Sequence, residues 1–211
     1  MALFVTYILG ASLSPRCAFP LLWTMNAHVL HLAPEWGHWY AEQLLVTKTD
    51  KFALPPSGDL YAYPSMFPGE QQATFVSNTE ADAALLSTSV TTAWEVVGNW
   101  EHALTEYFPR YAEHGTVSSL VSVNVPYMLP VLAFGDKFFK PLTSKESGNQ
   151  TVAFRPNECR GTSGSDHQNL NVTAMAREIN TYPLGTVTAI YITSDGGVSD
   201  FGCDCLHSSN H

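Results

Sequence analysis

Short apolar or alternating runs recur along the chain, separated by Gly, Pro, Asn or Asp. They are rich in Val, Ile, Thr and aromatic residues, a pattern typical of β-strands because alternate side chains of a strand face opposite sides of a sheet. The segments with this pattern are Leu3–Leu9, Leu21–Leu32, Tyr40–Lys48, Ala73–Ser77, Thr91–Val97, Leu120–Pro126, Thr151–Phe154, Thr186–Thr193 and Val198–Leu206. They predict an all-β fold, which we expect to be an eight-stranded antiparallel jelly-roll sandwich with short helices and long loops.

The last two predicted strands form the clearest local pattern. Thr186–Ile192 alternates between hydroxyl-bearing or aromatic residues and aliphatic residues, so each set would occupy one face of a strand. Ser194–Gly197 follows with residues that tolerate positive φ, and Val198–Leu206 then returns. This order predicts an antiparallel hairpin.

Helical periodicity is weaker and predicts two short helices. Thr79–Leu86 has Glu80 and Asp82 in its first turn, where carboxylates favour a helix start, and Trp100–Tyr111 is closed by Pro109. The connections Thr49–Gln72, Thr143–Gln150 and Asn157–Asn171 are long. Because long structureless loops in compact domains usually bind something or pack against a neighbour, we expect interfaces there.

Composition narrows the classes of partner. The 211 residues fit one domain spanning 1–211, and only 14% of them are charged. A surface so poor in charge is expected to be covered by protein partners. The formal net charge of −9, with 10 scattered Lys and Arg, argues against direct wrapping of nucleic acid, which requires clustered cations.

No apolar run is long enough to span a bilayer, and the start of the chain lacks the basic flank and cleavage pattern of a signal peptide. The four cysteines are too unevenly spread for a disulfide scaffold, so reduced buried thiols are expected. Asn149 and Asn171 begin glycosylation patterns that we expect to be unused without a signal peptide.

The histidines suggest two metal hypotheses. His28, His31 and His38 lie close in sequence with Glu35 nearby, but His28 and His31 share a face only if the segment is helical. Cys203, Cys205 and His207 would share one face of a strand, yet a zinc site would need a fourth ligand such as Cys159 or His167. Neither group has a tight metal-binding spacing, so no metal site is predicted.

Catalytic patterns are also weak. Gly161–His167 gathers Ser, Asp and His within one Gly-rich loop, which does not by itself hold a catalytic triad rigidly. The carboxylates Glu95, Glu101, Glu106 and Glu113 have a helix-like spacing that indicates a solvated face. No phosphate loop or dinucleotide fingerprint is present. We therefore predict no catalytic residue, no cofactor and no enzymatic activity.

Three segments resemble, in order, parts of picornavirus-like capsid jelly rolls. Val117–Met128 is an alternating strand that ends in an apolar residue, Pro126 and an aromatic, and it resembles a strand exit of that family. Thr92–Val97 is similar to the Trp-acid-Val strand that precedes this exit. Leu184–Thr188, followed by Asp200 and Phe201, resembles the family's last two strands and their junction.

This resemblance implies a structural subunit of a non-enveloped icosahedral RNA virus, located in the virion. The expected partners are sister coat proteins and further copies of the chain, with only weak or indirect contact to the RNA and a host receptor on the outer loops. Two alternatives remain. Trp23, Trp36, Trp39, Trp94 and Trp100, together with the glycosylation patterns, would suit a secreted β-sandwich glycan-binding protein. A metal-dependent jelly-roll enzyme would use His28, His31 and Glu35.

Overall fold

The computed structural model describes residues 2–6, 22–47, 50–96, 98–125, 131–135, 137–155, 157–160 and 188–193. Strands β1 to β9 span Ala2–Thr6, Leu22–Thr24, Lys51–Ala53, Val90–Val96, Ser119–Val125, Phe139–Thr143, Gln150–Phe154, Asn157–Arg160 and Thr188–Thr193. Helices α1 to α6 span Val29–Leu32, Pro34–Thr47, Gly69–Leu85, Trp100–His102, Tyr111–His114 and Val131–Phe134. A π-helical turn at Ala103–Tyr107 and 3₁₀ turns at Pro64–Met66 and Phe108–Arg110 complete the helical segments.

The strands run mostly parallel. One sheet has the order β3-β2-β1-β9-β8 with parallel neighbours throughout, and the other has the order β4-β5-β7-β6, in which only β6 is antiparallel. A backbone bridge joins the two sheets, because Leu54 N–H donates to Val90 O at 2.9 Å and Thr92 N–H donates to Leu54 O at 3.1 Å. Strands β2, β3 and β4 therefore run in the same direction, and the carboxyl end of β3 lies beside the amino end of β4.

The prediction of an all-β antiparallel jelly roll is wrong, because the fold is mixed α/β with mostly parallel sheets. Parallel neighbours cannot be joined by a tight hairpin and need a crossover, which helices provide here. Helix α2 connects β2 to β3, α3 connects β3 to β4, and the helical segment from α4 to α5 connects β4 to β5.

Several individual segments were nevertheless assigned correctly. Strands β4, β5, β7 and β9 confirm the predictions for Thr91–Val97, Leu120–Pro126, Thr151–Phe154 and Thr186–Thr193, and β1 covers the start of Leu3–Leu9. Helical structure over Thr79–Leu86 and Trp100–Tyr111 is also confirmed, although α3 begins ten residues earlier, at Gly69. Val198–Leu206, the second half of the predicted hairpin, lies outside the described residues.

The wrong strand assignments share a cause. Tyr40–Lys48 lies in α2, Ala73–Ser77 lies in α3, and Leu21–Leu32 divides into β2 and α1. A short apolar run does not distinguish a strand from a buried helix segment. The helical spacing in α3 becomes visible only over its whole length, where one side is buried; the buried residues are Gln72, Phe75, Val76, Thr79, Glu80 and Ala83.

Strand β4 separates two apolar clusters. Ala93 packs with Phe75 of α3 and Tyr107 of the π-helical turn on the helix-covered face. Trp94 points to the other face, where it packs with Val121 and other residues of β2, β3 and β5. Full burial of such side chains contributes about 1.5–3 kcal/mol each, so both faces of β4 hold it in place. None of the helices in the described ranges combines the length and apolarity needed to cross a bilayer.

Candidate functional site

A loop leaves the carboxyl end of β3 and reaches the carboxyl half of β4, where it contacts Trp94 and Glu95. In parallel α/β sheets, ligands bind where the loops leave the carboxyl ends of the strands. The loop after β3 belongs to the long connection Thr49–Gln72, for which the sequence predicts an interface. We call residues 57–65 of this connection the tyrosine loop, since it contains Tyr61 and Tyr63.

Close contacts fix the backbone of the tyrosine loop. Gly58 has a φ of +119°, and a Cβ atom there would lie 2.5 Å from Thr79 Cγ2 of α3. Only glycine therefore fits this position without strain. The Ser57 hydroxyl donates to Ala62 O at 2.7 Å and lies 3.3 Å from Trp94 O, at the end of β4. These contacts hold the loop against both α3 and β4.

An aromatic group lies on one side of this loop. The Tyr61 ring is centred 5.5 Å from the Trp94 ring, and Trp94 Nε1–H donates to the Tyr63 hydroxyl at 3.3 Å. Trp94 is 2% exposed whereas Tyr61 is 65% exposed. The buried tryptophan thus supports a tyrosine whose ring faces solvent. A supported, exposed ring offers a rigid apolar surface at low entropic cost for a ligand that has both C–H and hydroxyl groups.

A buried carboxylate lies on the other side of the loop. Glu95 is 0% exposed, and it accepts hydrogen bonds from the Ser65 hydroxyl and from Val96 N–H. Asn99 Nδ2–H donates to Ser65 Oγ at 2.6 Å, and Gln72 Nε2–H donates to Ser65 O at 3.0 Å. Glu95 and its partners therefore fasten the end of the tyrosine loop to β4 and α3.

A third group, the histidine–aspartate cluster, consists of His28, Asp59 and Asp82. Each residue has a ligand atom within 4.8 Å of those of the other two, and His28 Nε2 is 3.6 Å from Asp59 Oδ1. Burial raises the pKa of Asp82, and the Asp59 charge raises it further against the smaller opposing effects of His28 and His31. Two carboxylates and an imidazole arranged in this way can share a proton or hold a cation.

The structure describes only some of the metal-binding and catalytic candidates that the sequence suggests. His28 and His31 lie on one helical turn, as their hypothesis required, but the described residues place His28 with Asp59 and Asp82 rather than with Glu35. His38 is exposed and pairs with Glu42 at 3.1 Å. The loop Gly161–His167, Cys203, Cys205, His207 and Asn171 lie outside the described residues, as does the Cys159 side chain. The absence of any metal or catalytic residue stays a prediction.

Some of the remaining carboxylates and tryptophans are exposed and others are buried. Glu101 and Glu106 are exposed as expected, and Glu106 binds Lys145 at 2.7 Å. Glu95 contradicts the expectation of a solvated face because it is buried at the end of a strand. Trp94 and Trp100 are buried in different apolar clusters while Trp36 is 69% exposed, so these tryptophans do not form one platform.

Comparisons with known proteins identify the tyrosine loop. The sequence profile of a family described as "GxGYxYP putative glycoside hydrolase C-terminal domain" matches residues 13–159. The letters of this description are a residue pattern, and Gly58, Tyr61, Tyr63 and Pro64 fit it, with Leu60 in place of the second glycine. Sequence reasoning missed this signal because it treated the segment only as part of a long connection.

A solved structure supports the fold. It is titled "Crystal structure of a putative hydrolase from Bacteroides thetaiotaomicron VPI-5482 at 1.25 A resolution", and it aligns with 83% of this chain at a TM-score of 0.59 and 14% identity. The alignment covers 32% of that structure, so the chain spans about a third of its length. No curated protein sequence matches the chain significantly.

These findings overturn the resemblance to viral coat proteins. The profile match covers most of the chain, and the mostly parallel sheets exclude a jelly roll. The predictions of a capsid subunit, of sister coat proteins, RNA and a host receptor as partners, and of a virion location are wrong. The prediction of no enzymatic activity is contradicted by the family's description as a "putative glycoside hydrolase C-terminal domain". The glycan-binding alternative is closer to the family's description, although its β-sandwich fold is also wrong.

Proposed function

Because the chain belongs to the family of GxGYxYP C-terminal domains, we propose that it forms a glycan-contacting part of a glycoside hydrolase and that its tyrosine loop touches the sugar. The observation that carries this proposal is the 65% exposure of Tyr61, whose ring packs on Trp94 in the carboxyl half of β4. The ring belongs to the residue pattern for which the family is described, and it lies where parallel α/β sheets bind their ligands.

The two tyrosines of the pattern have different tasks. Tyr63 is partly buried and holds the indole N–H of Trp94 at 3.3 Å, so it fixes the loop. The Tyr61 ring is exposed to solvent and packs against the buried ring of Trp94. The C–H face of a sugar ring can pack on such an aromatic surface, while the sugar hydroxyls bind neighbouring polar groups or water. Because the loop is already fixed, little entropy is lost on binding.

The test compares the full chain with its Tyr61→Ala variant against a panel of soluble oligosaccharides by calorimetry. Loss of a central aromatic contact is expected to weaken binding about 5- to 30-fold, equivalent to about 1–2 kcal/mol. Tyr61→Phe keeps the ring and should bind within about twofold of the wild type. Trp36→Ala removes an aromatic of similar exposure on α2 and should change nothing. Binding unaffected by Tyr61→Ala, or no binding of any oligosaccharide, contradicts the proposal.

A further inference from the structure

We propose that the histidine–aspartate cluster is a binding site for one divalent cation of the Zn²⁺ class. Its ligands would be His28 from the segment after β2, Asp59 from the tyrosine loop and Asp82 from α3. This inference goes beyond the proposed contact with glycans and does not depend on it, because none of the three side chains forms the aromatic surface around Tyr61.

The distances within the cluster suit such an ion. Two ligand atoms that each lie about 2.0–2.2 Å from Zn²⁺ are about 3.3–3.6 Å apart at the tetrahedral angle. His28 Nε2 and Asp59 Oδ1 are 3.6 Å apart, which is too long for a hydrogen bond and fits two ligands of one ion. One oxygen of Asp82 lies within 4.8 Å of a ligand atom of each of the other two residues, so a side-chain shift on the order of 1 Å completes three-fold coordination.

The surroundings hold two of the ligands in position before any ion binds. Asn26 Oδ1 accepts His28 N–H at 2.8 Å, and Asn26 Nδ2 lies 3.4 Å from Asp59 O, so one side chain links both ligand backbones. Asn78 Nδ2–H donates to Asp59 Oδ2 at 3.0 Å, which leaves Oδ1 turned toward His28. Hydrogen bonds to the outer atoms of ligands are the usual way in which proteins orient metal ligands.

An unsatisfied oxygen is an independent sign of a missing partner. Asp82 Oδ2 is buried, and no hydrogen-bond donor reaches it among the described residues. Buried carboxylate oxygens are normally satisfied by hydrogen bonds or by a bound ion. Two ionised carboxylates cannot satisfy each other, since each only accepts. A bound cation would provide the partner that Asp82 Oδ2 lacks.

The donor set decides the class of ion. One imidazole nitrogen and two carboxylate oxygens suit Zn²⁺ and similar first-row cations, whereas Ca²⁺ takes six to eight oxygens and Mg²⁺ keeps an octahedral shell of oxygens and water. The His28 side chain is 46% exposed, so water can reach the cluster from the His28 side and could complete the coordination of an ion.

Zn²⁺ titration of the full chain by calorimetry tests the proposal, with variants that change one ligand at a time. His28→Ala and Asp82→Asn are each expected to weaken binding at one site by more than about 100-fold, since loss of an outer hydrogen bond alone costs 10- to 100-fold. Asn78→Ala should weaken binding by about 10-fold. His38→Ala is the matched control, because His38 is an exposed histidine with a carboxylate, Glu42, 3.1 Å away.

Equal Zn²⁺ binding by the wild type, His28→Ala and Asp82→Asn would show that these residues form only an ion pair and would overturn the proposal. Failure of the folded wild type to bind Zn²⁺ would have the same meaning. If a variant does not fold by circular dichroism, anomalous scattering from Zn²⁺-soaked crystals of the wild type decides instead. A peak between His28, Asp59 and Asp82 supports the site, and its absence there refutes it.

Discussion

Two buried glutamates, Glu80 and Glu95, lie at opposite edges of the second sheet and have different partners. Glu80 of α3 accepts the backbone N–H groups of Thr116 and Val117, at 2.7 and 3.1 Å, where the chain enters β5. Glu95 accepts the side-chain hydroxyl of Ser65 at the carboxyl end of β4. Glu80 thus holds the backbone at the amino end of β5, whereas Glu95 positions the tyrosine loop, which carries the exposed ring of Tyr61.

The difference teaches that burial alone does not reveal the role of a carboxylate. Both side chains are nearly inaccessible, at 5% and 0% exposure. Changes near Glu80 should lower stability and leave ligand binding intact in the folded molecules. Changes near Glu95 should also alter the position of Tyr61. The following predictions test this contrast, from the largest expected effect to the smallest.

Glu80→Ala is expected to lower the free energy of unfolding by about 3–4 kcal/mol. Its loss leaves the partly buried N–H of Thr116 and the buried N–H of Val117 without an acceptor, and an unsatisfied buried group costs about 1–3 kcal/mol. Urea denaturation measures the effect. Glu80→Gln keeps one acceptor and should cost about half as much. A loss below about 1 kcal/mol for Glu80→Ala would contradict the bracing role.

Gly58→Ala should cost about 2–3 kcal/mol and also weaken glycan binding. The new methyl would lie 2.5 Å from Thr79 Cγ2 at a φ of +119°, so clash and backbone strain act together. Gly148→Ala is the control, since Gly148 has a φ of +72° but nothing within 4 Å of a Cβ atom, and it should cost only about 1 kcal/mol. Equal losses in the two thermal unfolding curves would disprove the close contact with Thr79.

Ser65→Ala should cost about 1–2 kcal/mol and lower glycan affinity a few-fold. It removes the hydroxyl that Glu95 and Asn99 bind and leaves a buried carboxylate with fewer donors. Ser77→Ala changes an exposed serine on α3 and should have no effect on either quantity. The contrast between the two glutamates fails if Ser65→Ala lowers stability but leaves affinity unchanged.

Tyr111→Phe should have the smallest effect at neutral pH, about 1 kcal/mol, because it removes one hydrogen bond to Tyr107 at 2.9 Å. Burial raises the pKa of Tyr111 to about 12, from an ordinary value of 10. The neutral phenol therefore stabilises the fold below pH 10, and this contribution is lost as pH rises toward 12. The free energy of unfolding, measured by urea denaturation at several pH values between 9 and about 12, should fall less steeply with pH for Tyr111→Phe than for the wild type. Equal slopes would show that Tyr111 is not buried in this way.

The sequence predicts the central strands well and their arrangement poorly. Val90–Val96 and Ser119–Val125 are recognisable because alternating residues pack on two faces. Their parallel arrangement requires the crossovers made by α3 and by the helical segment from α4 to α5. Helix α3 is hard to recognise in the sequence, because its apolar run Ala73–Ser77 is also typical of a strand. Without these crossover helices, a series of short strands favours an antiparallel sandwich.

The candidate site was only partly predictable. The predicted long connection Thr49–Gln72 contains the tyrosine loop, and His28 and His31 lie on one helical turn, which their hypothesis required. Asp59 and Asp82 were not expected beside His28, because their contact joins a loop and a helix that are separate in sequence. The repeated tyrosines of the Gly58–Pro64 segment were visible, but their meaning came from the family pattern.

The most direct test of the central claim is a crystal structure of the full chain with a bound oligosaccharide. We predict that the C–H face of one sugar ring packs on the Tyr61 ring at about 4 Å, beside the carboxyl half of β4. A sugar bound elsewhere on the chain, without contact to the Tyr61 ring, would contradict this prediction.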